Sequence, residues 1–430
     1  MTHDVATVLV DGRPVAHPTA GGRGIGRYVL GLLDGLVRVG APVIALYATD
    51  DERAILAEVV PDDRLERWSP STIARHTHTG TWYVATGLML HPIPFDPVPS
   101  IVTESGIPVA AVMYDVIPYR YPDHYLSGPH ARVQAEVRAV LTRTLDAMLS
   151  ISDFSGTTAS DELRFPMERT RTIGAGYDER FRPATEPVRP LLERVLPPAV
   201  DRWVVSVTGI DERKNTEGLI RAWALVPESA RDGHHLVIAN SHTPAWLARW
   251  TACVRDAGVE SSVIITGSVT DAELVALFQG ARLSLMPSFD EGFGLPVLEA
   301  AACGCPVICS NTSALPEILC EPAALFDPSS DASIAAAIER ALVDDDHRAV
   351  LVSAAARAAA RWTWPRVGAD TVAALAQLGQ RWHRTLREPH GGVGLAAPEV
   401  VDRLPADVVG RYVKPWDLVE AATPAAIDPD

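Results

Sequence analysis

Short apolar runs alternate with amphipathic stretches along the first half of the chain. Residues Val29, Leu32, Leu33 and Leu36 repeat with the spacing of one helix face. The apolar runs before and after that stripe have the length of buried strands. We predict strands over Val5–Val10, Val43–Tyr47, Val109–Met113 and Ala147–Ser152. A strand, a Gly-rich loop, a helix and a second strand in succession are typical of a Rossmann-like unit.

The same alternation starts again in the second half of the chain. Thr270 and Glu273 have the spacing of a capping box that opens a helix, and we expect Gly280 to end that helix. The chain shows no repeat of about 20–50 residues, which excludes a solenoid. The predicted strands are Val204–Val207, Leu236–Ala239, Val263–Thr266 and Leu283–Met286. We therefore predict an α/β fold with two doubly wound, Rossmann-like domains.

Proline accumulates at the junction between these halves. The stretch from 182 to 201 contains Pro183, Pro187, Pro190, Pro197 and Pro198. Such a composition is typical of a linker, so we place one domain over residues 1–185 and the second over 186–365. Residues 60–100 are predicted to hold loops and short elements. The tail over 388–430 matches no pattern, and its role is open.

Composition and charge limit the function classes. At 430 residues the chain is long enough for two cores, and no window approaches the roughly 18 apolar residues that span a bilayer. The net charge of −16 argues against nucleic acid and anionic membranes as partners, because both require basic patches. The start lacks a secretory signal, and the five cysteines form no Cys-x-x-Cys pair. We expect a cytoplasmic protein without stable membrane insertion.

The richest local pattern is PSFDEGFGLPVLEAAACGCPVI, which runs from Pro287 to Ile308. Gly292 and Gly294 allow a tight turn in which a ligand approaches main-chain N–H groups. Pro296 suits the first turn of a helix, and Gly304 suits a left-handed cap at its end. The N-terminus of this helix is favourable for an anion.

Two carboxylates flank this turn: Glu291 precedes the helix, and Glu299 lies about one turn inside it. An anion site between two acids suits a nucleotide-sugar, with its diphosphate in the middle and hydroxyl groups at both ends. A strand–loop–helix with a Gly turn and no ligand is the alternative. The Glu-x7-Glu spacing within EGFGLPVLEA resembles the signature of glycosyltransferase family 4, whose members are retaining enzymes with the GT-B fold.

A basic dipeptide, Arg213–Lys214, follows Gly209 at the end of a predicted strand and precedes a predicted helix. Arginine makes bidentate hydrogen bonds to phosphate and lysine supplies a compact charge, so the pair suits a diphosphate. A solvated surface pair is the alternative. In the family that the chain resembles, such a pair stabilises the leaving nucleoside diphosphate. Many members also have an arginine where this chain has Ile210.

The loop GGRGIGRY near the N-terminus matches the first two positions of the dinucleotide fingerprint, but Arg27 occupies the third. A dehydrogenase is therefore not supported. The loop resembles the Gly-rich first loop of the family, which approaches a phosphate or an acceptor, and a loop without ligand is the alternative. Its glycines are Gly21, Gly22, Gly24 and Gly26.

Asp115 follows a predicted strand, and ligands collect at the carboxyl ends of parallel strands. The sequence YDVIP resembles the family motif His-Asp-hydrophobic-Ile-Pro, with Tyr114 at the histidine position. Asp115 is therefore a candidate for orienting an acceptor or donor-sugar hydroxyl. An aspartate that caps a turn is the alternative.

The resemblance covers about residues 20–375 and implies further roles. Glu299 holds the ribose hydroxyls, Glu291 holds a hydroxyl of the transferred sugar, and the backbone over Gly292–Leu295 follows the donor. The donor lies on the C-terminal domain and the acceptor mostly on the N-terminal one, with a helix over 366–387 that crosses back to the latter. The complete set of donor-binding candidates is Gly24, Gly26, Gly209, Gly292, Phe293, Gly294, Leu295 and Glu299, and the catalytic candidates are Asp115, Arg213, Lys214 and Glu291.

We predict a retaining glycosyltransferase that moves a hexose or deoxysugar from a nucleoside diphosphate to a hydroxyl of a saccharide or small molecule. No cofactor or metal is expected, because no Asp-x-Asp motif follows a strand. One alternative is a non-catalytic nucleotide-sugar-binding protein, which the departures at Tyr114 and Ile210 motivate. Another is an epimerase or a phosphorylase; a phosphorylase requires a cofactor lysine late in the chain, where Lys414 is the sole candidate.

Overall fold

The computed structural model describes residues 5–18, 21, 24–90 and 95–382. This part of the chain forms two compact units. The first contains the described residues up to Leu149, the segment Gly156–Arg171 and the described chain from Thr371. The second contains Ser150–Ser155 and Thr172–Asp370.

A seven-stranded sheet is the centre of the first unit. Its strands are β1 (Thr7–Asp11), β2 (Val43–Tyr47), β3 (Leu65–Arg67), β4 (Thr81–Ala85), β5 (Val109–Met113), β6 (Ala147–Ser150) and β7 (Thr170–Thr172). Their order is β3-β2-β1-β4-β5-β6-β7, with parallel pairing from β3 through β5. This order reverses direction between β1 and β4, as in a doubly wound unit.

Eight helices accompany these strands. They are α1 (Ile25–Arg38), α2 (Asp50–Leu56), α3 (Pro70–Arg75), α4 (Ser100–Glu104), α5 (Ile117–Arg120), α6 (Pro122–Tyr125), α7 (Pro129–Thr144) and α8 (Asp153–Leu163). Strands β1, β4 and β5 are buried along their whole length. Parallel strands covered on both faces have continuous apolar runs, which explains why the sequence marks β1 and β5 clearly.

The second unit has a six-stranded sheet in which every neighbouring pair is parallel. Its strands are β8 (Trp203–Val207), β9 (His235–Ala239), β10 (Val263–Gly267), β11 (Leu283–Met286), β12 (Val307–Ser310) and β13 (Leu325–Phe326), in the order β10-β9-β8-β11-β12-β13. Its helices are α9 (Thr216–Leu225), α10 (Glu228–Arg231), α11 (Pro244–Asp256), α12 (Asp271–Gly280), α13 (Leu295–Ala302), α14 (Leu315–Leu319), α15 (Asp331–Val343), α16 (Asp345–Arg361) and the first part of α17 (Trp364–Trp382), which belongs to the first unit from Thr371 onward. The prediction of two Rossmann-like units is confirmed. No described helix combines the length and the apolar character needed to cross a bilayer.

Helix ends test the capping predictions. The Thr270–Glu273 capping box is confirmed at the start of α12. Gly280 is the last residue of α12, as predicted, but it does not form a left-handed cap, because the next residue is extended. A Cβ on Gly280 would lie 2.4 Å from the ring of Trp203. Close packing on Trp203, and not a left-handed cap, therefore requires glycine there. Gly304 follows α13 with φ +77°, which confirms the predicted left-handed cap.

Two stretches differ from the sequence-based expectation. Strand β4 lies in the centre of its sheet, although residues 60–100 were expected to hold loops and short elements. Residues 172–185 pack with the second unit, whereas the expected boundary assigned them to the first. The reason is visible at Gly174, where a Cβ would lie 2.5 Å from the ring of Trp362, and at Phe181, whose ring packs on Phe278 with centroids 6.3 Å apart. The tail over 388–430 lies outside the described residues.

Candidate active site

The order of the six-stranded sheet reverses between β8 and β11. At such a switch point the carboxyl ends of the two strands leave a crevice for ligands. The segment after β8 contains Gly209 and the Arg213–Lys214 dipeptide, and the segment after β11 leads through Glu291 to α13. The topology thus delivers both predicted motifs to the same edge of one sheet.

The basic dipeptide lies in a short 3-10 turn between β8 and α9. Asp211 caps this turn, because its Oδ1 accepts a hydrogen bond from the Arg213 N–H at 3.0 Å. A Cβ on Gly209 would lie 3.9 Å from Lys214 Cε, so the lysine side chain runs past this glycine. Ile210 is exposed. Many members of the family that the chain resembles have arginine at this position.

Lys214 and Arg213 both contact the Glu291 carboxylate. Lys214 Nζ is 2.6 Å from Glu291 Oε1, and Arg213 Nη1 is 3.1 Å from Oε2. The three side chains are between 9% and 20% exposed. Residues 77 positions apart in the chain therefore form one ion cluster at the switch point.

Arg213 and Lys214 differ in their hydrogen-bond partners. Arg213 donates to the Asp290 carbonyl at 2.6 Å, and its Nε lies 3.3 Å from Asp211 Oδ2. Its own carbonyl accepts the Phe289 N–H at 2.7 Å. Arg213 therefore ties the turn after β8 to the turn after β11. Among the residues that the structure describes, Lys214 donates one of its three N–H groups to Glu291, so two donors remain for a ligand oxygen.

The charge state of Glu291 follows from its neighbours. Burial alone raises the pKa of this carboxyl, but the positive charges of Lys214 and Arg213 outweigh burial and lower the pKa to about 2. Glu291 is thus ionised at neutral pH and accepts hydrogen bonds without donating any. This suits a role in holding a hydroxyl group and does not suit a general acid.

The turn from Glu291 to Leu295 presents backbone donors. Gly294 has φ +108°, and a Cβ there would lie 2.5 Å from Leu315 Cδ2, so only glycine fits. Within the described part of the chain, the N–H groups of Phe293 and Gly294 have no hydrogen-bond acceptor. Together with the start of α13 they form a concentration of positive partial charge beside Lys214 and Glu291.

Two donor-binding candidates have surroundings that the sequence does not indicate. The Phe293 ring is 3% exposed and packs edge-on against Trp362 with centroids 5.3 Å apart, so only its backbone is available to a ligand. Glu299 is half-buried one turn into α13. Its carboxylate lies within electrostatic range of Arg180 and Cys303.

In the first unit, Asp115 follows β5 as predicted, and its Oδ1 accepts the Ile117 N–H at 3.1 Å. This is the turn-capping contact that the sequence left as an alternative. Tyr114 is buried, donates its hydroxyl to the Thr86 carbonyl at 3.1 Å and packs edge-on against Tyr28. Burial raises its pKa well above the usual value, so this tyrosine is a packed core residue where the family motif has histidine.

The glycines before α1 differ in their structural requirement. Gly24 precedes the helix with φ +47° and has open space around its Cβ position. Gly26 lies so close to the Gly21 carbonyl that a Cβ would be 2.0 Å from that oxygen. Gly22 is outside the described residues. Packing of the loop on itself explains Gly26, and the role of Gly24 in donor binding stays a prediction.

Sequence reasoning missed a buried polar cluster at the carboxyl end of β1. Arg13 makes a two-pronged ion pair with Asp11, with both N–O distances 2.8 Å, and its guanidinium stacks 4.0 Å above the centroid of the Phe95 ring. Arg13 also donates to the carbonyl of Asp96, whose carboxyl pKa is raised by burial to about 6. The one available signal was a charged residue on each side of Gly12, directly after an apolar run.

Two serines that the sequence analysis did not single out also contact the turn after β11. The hydroxyl groups of Ser152 and Ser155 both donate to the Gly292 carbonyl. Among the described residues, no group of three or more His, Cys, Asp or Glu side chains is arranged to hold a metal ion.

This arrangement agrees with a match to a family model. Residues 193–358, which contain the switch point and the whole ion cluster, match the model of glycosyl transferases group 1. The match confirms the predicted resemblance to glycosyltransferases, while the assignment to family 4 stays a prediction.

Curated relatives of the chain include mannosyltransferases. The serotype-specific mannosyltransferase WbdA of Escherichia coli is 30% identical over 257 residues, which cover 59% of this chain and 31% of WbdA. The O-antigen chain mannosyltransferase B of Escherichia coli is 28% identical over 263 residues, which cover 60% of this chain and 68% of that protein. The chain thus spans about a third of the length of WbdA.

Solved structures share the fold. The chain is similar to Anabaena Alr3699/HepE, solved in complex with UDP and glucose, with a TM-score of 0.62 and 16% identity over 88% of this chain and 99% of that one. It is also similar to WaaG, a glycosyltransferase involved in lipopolysaccharide biosynthesis, with a TM-score of 0.59 and 15% identity over 85% and 98% of the two chains. The chain therefore shares the GT-B fold, as predicted.

Proposed function

We propose that the protein is a retaining glycosyltransferase that moves a hexose from a nucleoside diphosphate to a hydroxyl of a saccharide acceptor. The names of the curated relatives make mannose the first donor sugar to test and an oligosaccharide or polysaccharide the first acceptor. The observation that carries the proposal is the 2.6 Å contact between Lys214 and Glu291 at the β8/β11 switch point.

The geometry supports a division of labour between charged groups. In the transfer, the bond between the sugar C1 and the diphosphate oxygen breaks, and a bond from C1 to the acceptor oxygen forms. Negative charge accumulates on the leaving diphosphate, and the acceptor hydroxyl passes its proton to an oxygen of that diphosphate. Lys214 keeps two donors for the diphosphate, and the Phe293 and Gly294 N–H groups add further stabilisation. Glu291, being ionised, holds a hydroxyl of the transferred sugar.

Glu299 and Asp115 complete the proposal in a less direct way. Glu299 lies on the helix that follows the turn, which suits contact with the ribose hydroxyls. Asp115 follows β5 and caps a turn with one oxygen, and we expect its carboxylate to orient a hydroxyl group as well. We expect Arg213 to act mainly by bracing the two turns, because its contacts are with Asp290, Glu291 and Asp211.

A donor screen followed by a transfer assay tests this proposal. The protein is mixed with a panel of nucleotide-sugars, and the thermal midpoint is recorded; a ligand at 100 times its Kd adds about 2.7 kcal/mol to stability. The donors that bind are then incubated with mannose-containing oligosaccharides, and the anomeric configuration of the product is read by NMR. We expect transfer with retention, and the same rate in the presence of EDTA, because the proposed chemistry needs no metal.

The same assay separates the alternatives. A non-catalytic binding protein, for which the buried Tyr114 is the motivating observation, would show a raised midpoint without transfer or hydrolysis of any donor. An epimerase would convert the donor without an acceptor. The phosphorylase alternative depends on Lys414, which lies outside the described residues.

A further inference from the structure

Two buried hydroxyl groups converge on one carbonyl oxygen in the turn that precedes α13. Ser152 Oγ is 2.6 Å and Ser155 Oγ 2.7 Å from the Gly292 oxygen, and Ser152 Oγ is also 2.9 Å from Ser155 Oγ, so the single Ser152 proton is shared between these two acceptors. The two serines are 0% and 1% exposed. A carbonyl oxygen has two lone pairs, so this contact uses its full capacity as an acceptor.

The segment that supplies the serines is itself fixed within the second unit. Residues Ser150–Ser155 group with that unit. The Glu317 carboxylate accepts the N–H groups of Asp153 and Phe154 at 2.9 and 2.7 Å, and Ser152 Oγ accepts the Ser155 N–H at 2.9 Å. The hydroxyl groups are therefore held from their own side and do not depend on Gly292 for their position.

Because the peptide bond is planar, the contact of the two serines with the Gly292 carbonyl also affects the N–H group of Phe293. The Gly292 carbonyl and the Phe293 N–H belong to one peptide unit and point in opposite directions. Fixing the oxygen therefore fixes the direction of the N–H. The Phe293 ring is anchored against Trp362, but Gly292 has no side chain that resists rotation of the peptide. The Phe293 N–H has no acceptor within the described residues.

We propose that Ser152 and Ser155 are positioning residues that hold the Phe293 N–H toward an oxygen of the nucleotide-sugar beside Lys214. This inference rests on the proposed function. The hydroxyl groups do not touch the donor; they set the orientation of a backbone donor that does. Their loss lets the Gly292–Phe293 peptide rotate, and the donor then loses one hydrogen bond and its alignment.

The test compares Ser152→Ala, Ser155→Ala and the double variant with Ser150→Ala. Ser150 is an equally buried serine of the same segment, and its Oγ lies 3.2 Å from Thr172 Oγ1. We expect kcat/KM for the donor to fall about tenfold or more in the double variant and severalfold in each single variant, with an unchanged KM for the acceptor. Ser150→Ala retains the wild-type kcat/KM. Hydrogen exchange of the peptide over residues 290–298 should be faster in the double variant than in Ser150→Ala.

The outcomes separate this inference from the proposed function. If wild type transfers sugar and the double variant matches it in donor kcat/KM and in exchange of the 290–298 peptide, the positioning role is wrong while the glycosyltransferase proposal stands. If wild type neither binds nor turns over any nucleotide-sugar, the proposed function fails and this inference fails with it. Should the double variant not fold, the two single variants decide, because each retains one hydroxyl group on Gly292.

Discussion

Replacing Lys214 by methionine removes one positive charge from the ion cluster while keeping the length of the side chain. In the native protein the pKa of Glu291 is lowered from 4.5 to about 2. At about 1.4 kcal/mol for each pKa unit, this fall corresponds to about 3–4 kcal/mol of stability at neutral pH. Arg213 remains 3.1 Å from the carboxylate in the variant, so we expect a loss of about 2–3 kcal/mol at pH 7.

The loss depends on pH in a direction that follows from the two pKa values. Because the folded pKa of Glu291 lies below the unfolded one, the native protein has this stabilisation above about pH 5 and loses it as pH falls toward 2. Without Lys214, the pKa of Glu291 lies above its wild-type value, because Arg213 alone opposes burial, and protonation then costs less stability. The difference between wild type and Lys214→Met should therefore shrink as pH falls below about 4.

Urea denaturation at pH 7 and pH 3.5 measures both the stability loss in Lys214→Met and its dependence on pH. The double variant Lys214→Met, Glu291→Gln is the matched control, because a neutral amide at 291 leaves no unpaired buried charge. We expect the double variant to be more stable than Lys214→Met at pH 7 and yet to transfer sugar at least about 100-fold more slowly than wild type. Stability losses of the two single variants that simply add in the double variant would refute the coupling between these residues.

Three further predictions concern the turn, the first unit and a helix cap. Gly294→Ala should lower the free energy of unfolding by about 2 kcal/mol or more, because the new Cβ meets Leu315 at φ +108°, whereas Gly106→Ala, at φ +76° in open space, should cost about 1 kcal/mol in the same urea experiment. Asp115→Asn keeps an oxygen that accepts the Ile117 N–H, so the thermal midpoint should stay within a few degrees while kcat falls about tenfold. An unchanged kcat would contradict the role of Asp115 in orienting a hydroxyl group. Thr270→Ala should lower the free energy of unfolding by about 1 kcal/mol at an unchanged kcat/KM, since the capping box of α12 includes none of the proposed site residues.

The sequence predicts those features whose causes are local. Continuous apolar runs mark β5 and β11 because both faces of these strands are buried. In the sheet, β8 and β11 are neighbours, so the segments that follow them meet at one edge and Lys214 contacts Glu291. A doubly wound fold is therefore sufficient to predict this proximity. Strand β4, TWYVA, is as long as β5, but it begins with Thr81 and lies in a stretch of weak periodicity, so no clear apolar run marks it.

Contacts between residues that are distant in the sequence leave no pattern from which they can be predicted. Arg213 has the chemistry of a phosphate ligand, but the fold places a backbone carbonyl and two carboxylates around its guanidinium. Tyr114 stands at a position where the family motif has histidine, and its buried contact with the Thr86 carbonyl is invisible in the sequence. Ser152 and Ser155 lie about 140 residues before Gly292, so no spacing rule connects them.

Chemical labelling of lysine tests the central claim most directly. The chain has two lysines, Lys214 and Lys414, so an isotope-coded amine reagent reports on each separately by mass spectrometry. The side chain of Lys214 is 18% exposed and open to the reagent. A saturating nucleoside diphosphate from the donor screen should slow labelling of Lys214 at least about tenfold, as expected for a bound ligand that occupies its free N–H donors, and leave Lys414 as the reference. Equal labelling of Lys214 with and without the bound nucleotide would contradict a diphosphate site at the β8/β11 switch point.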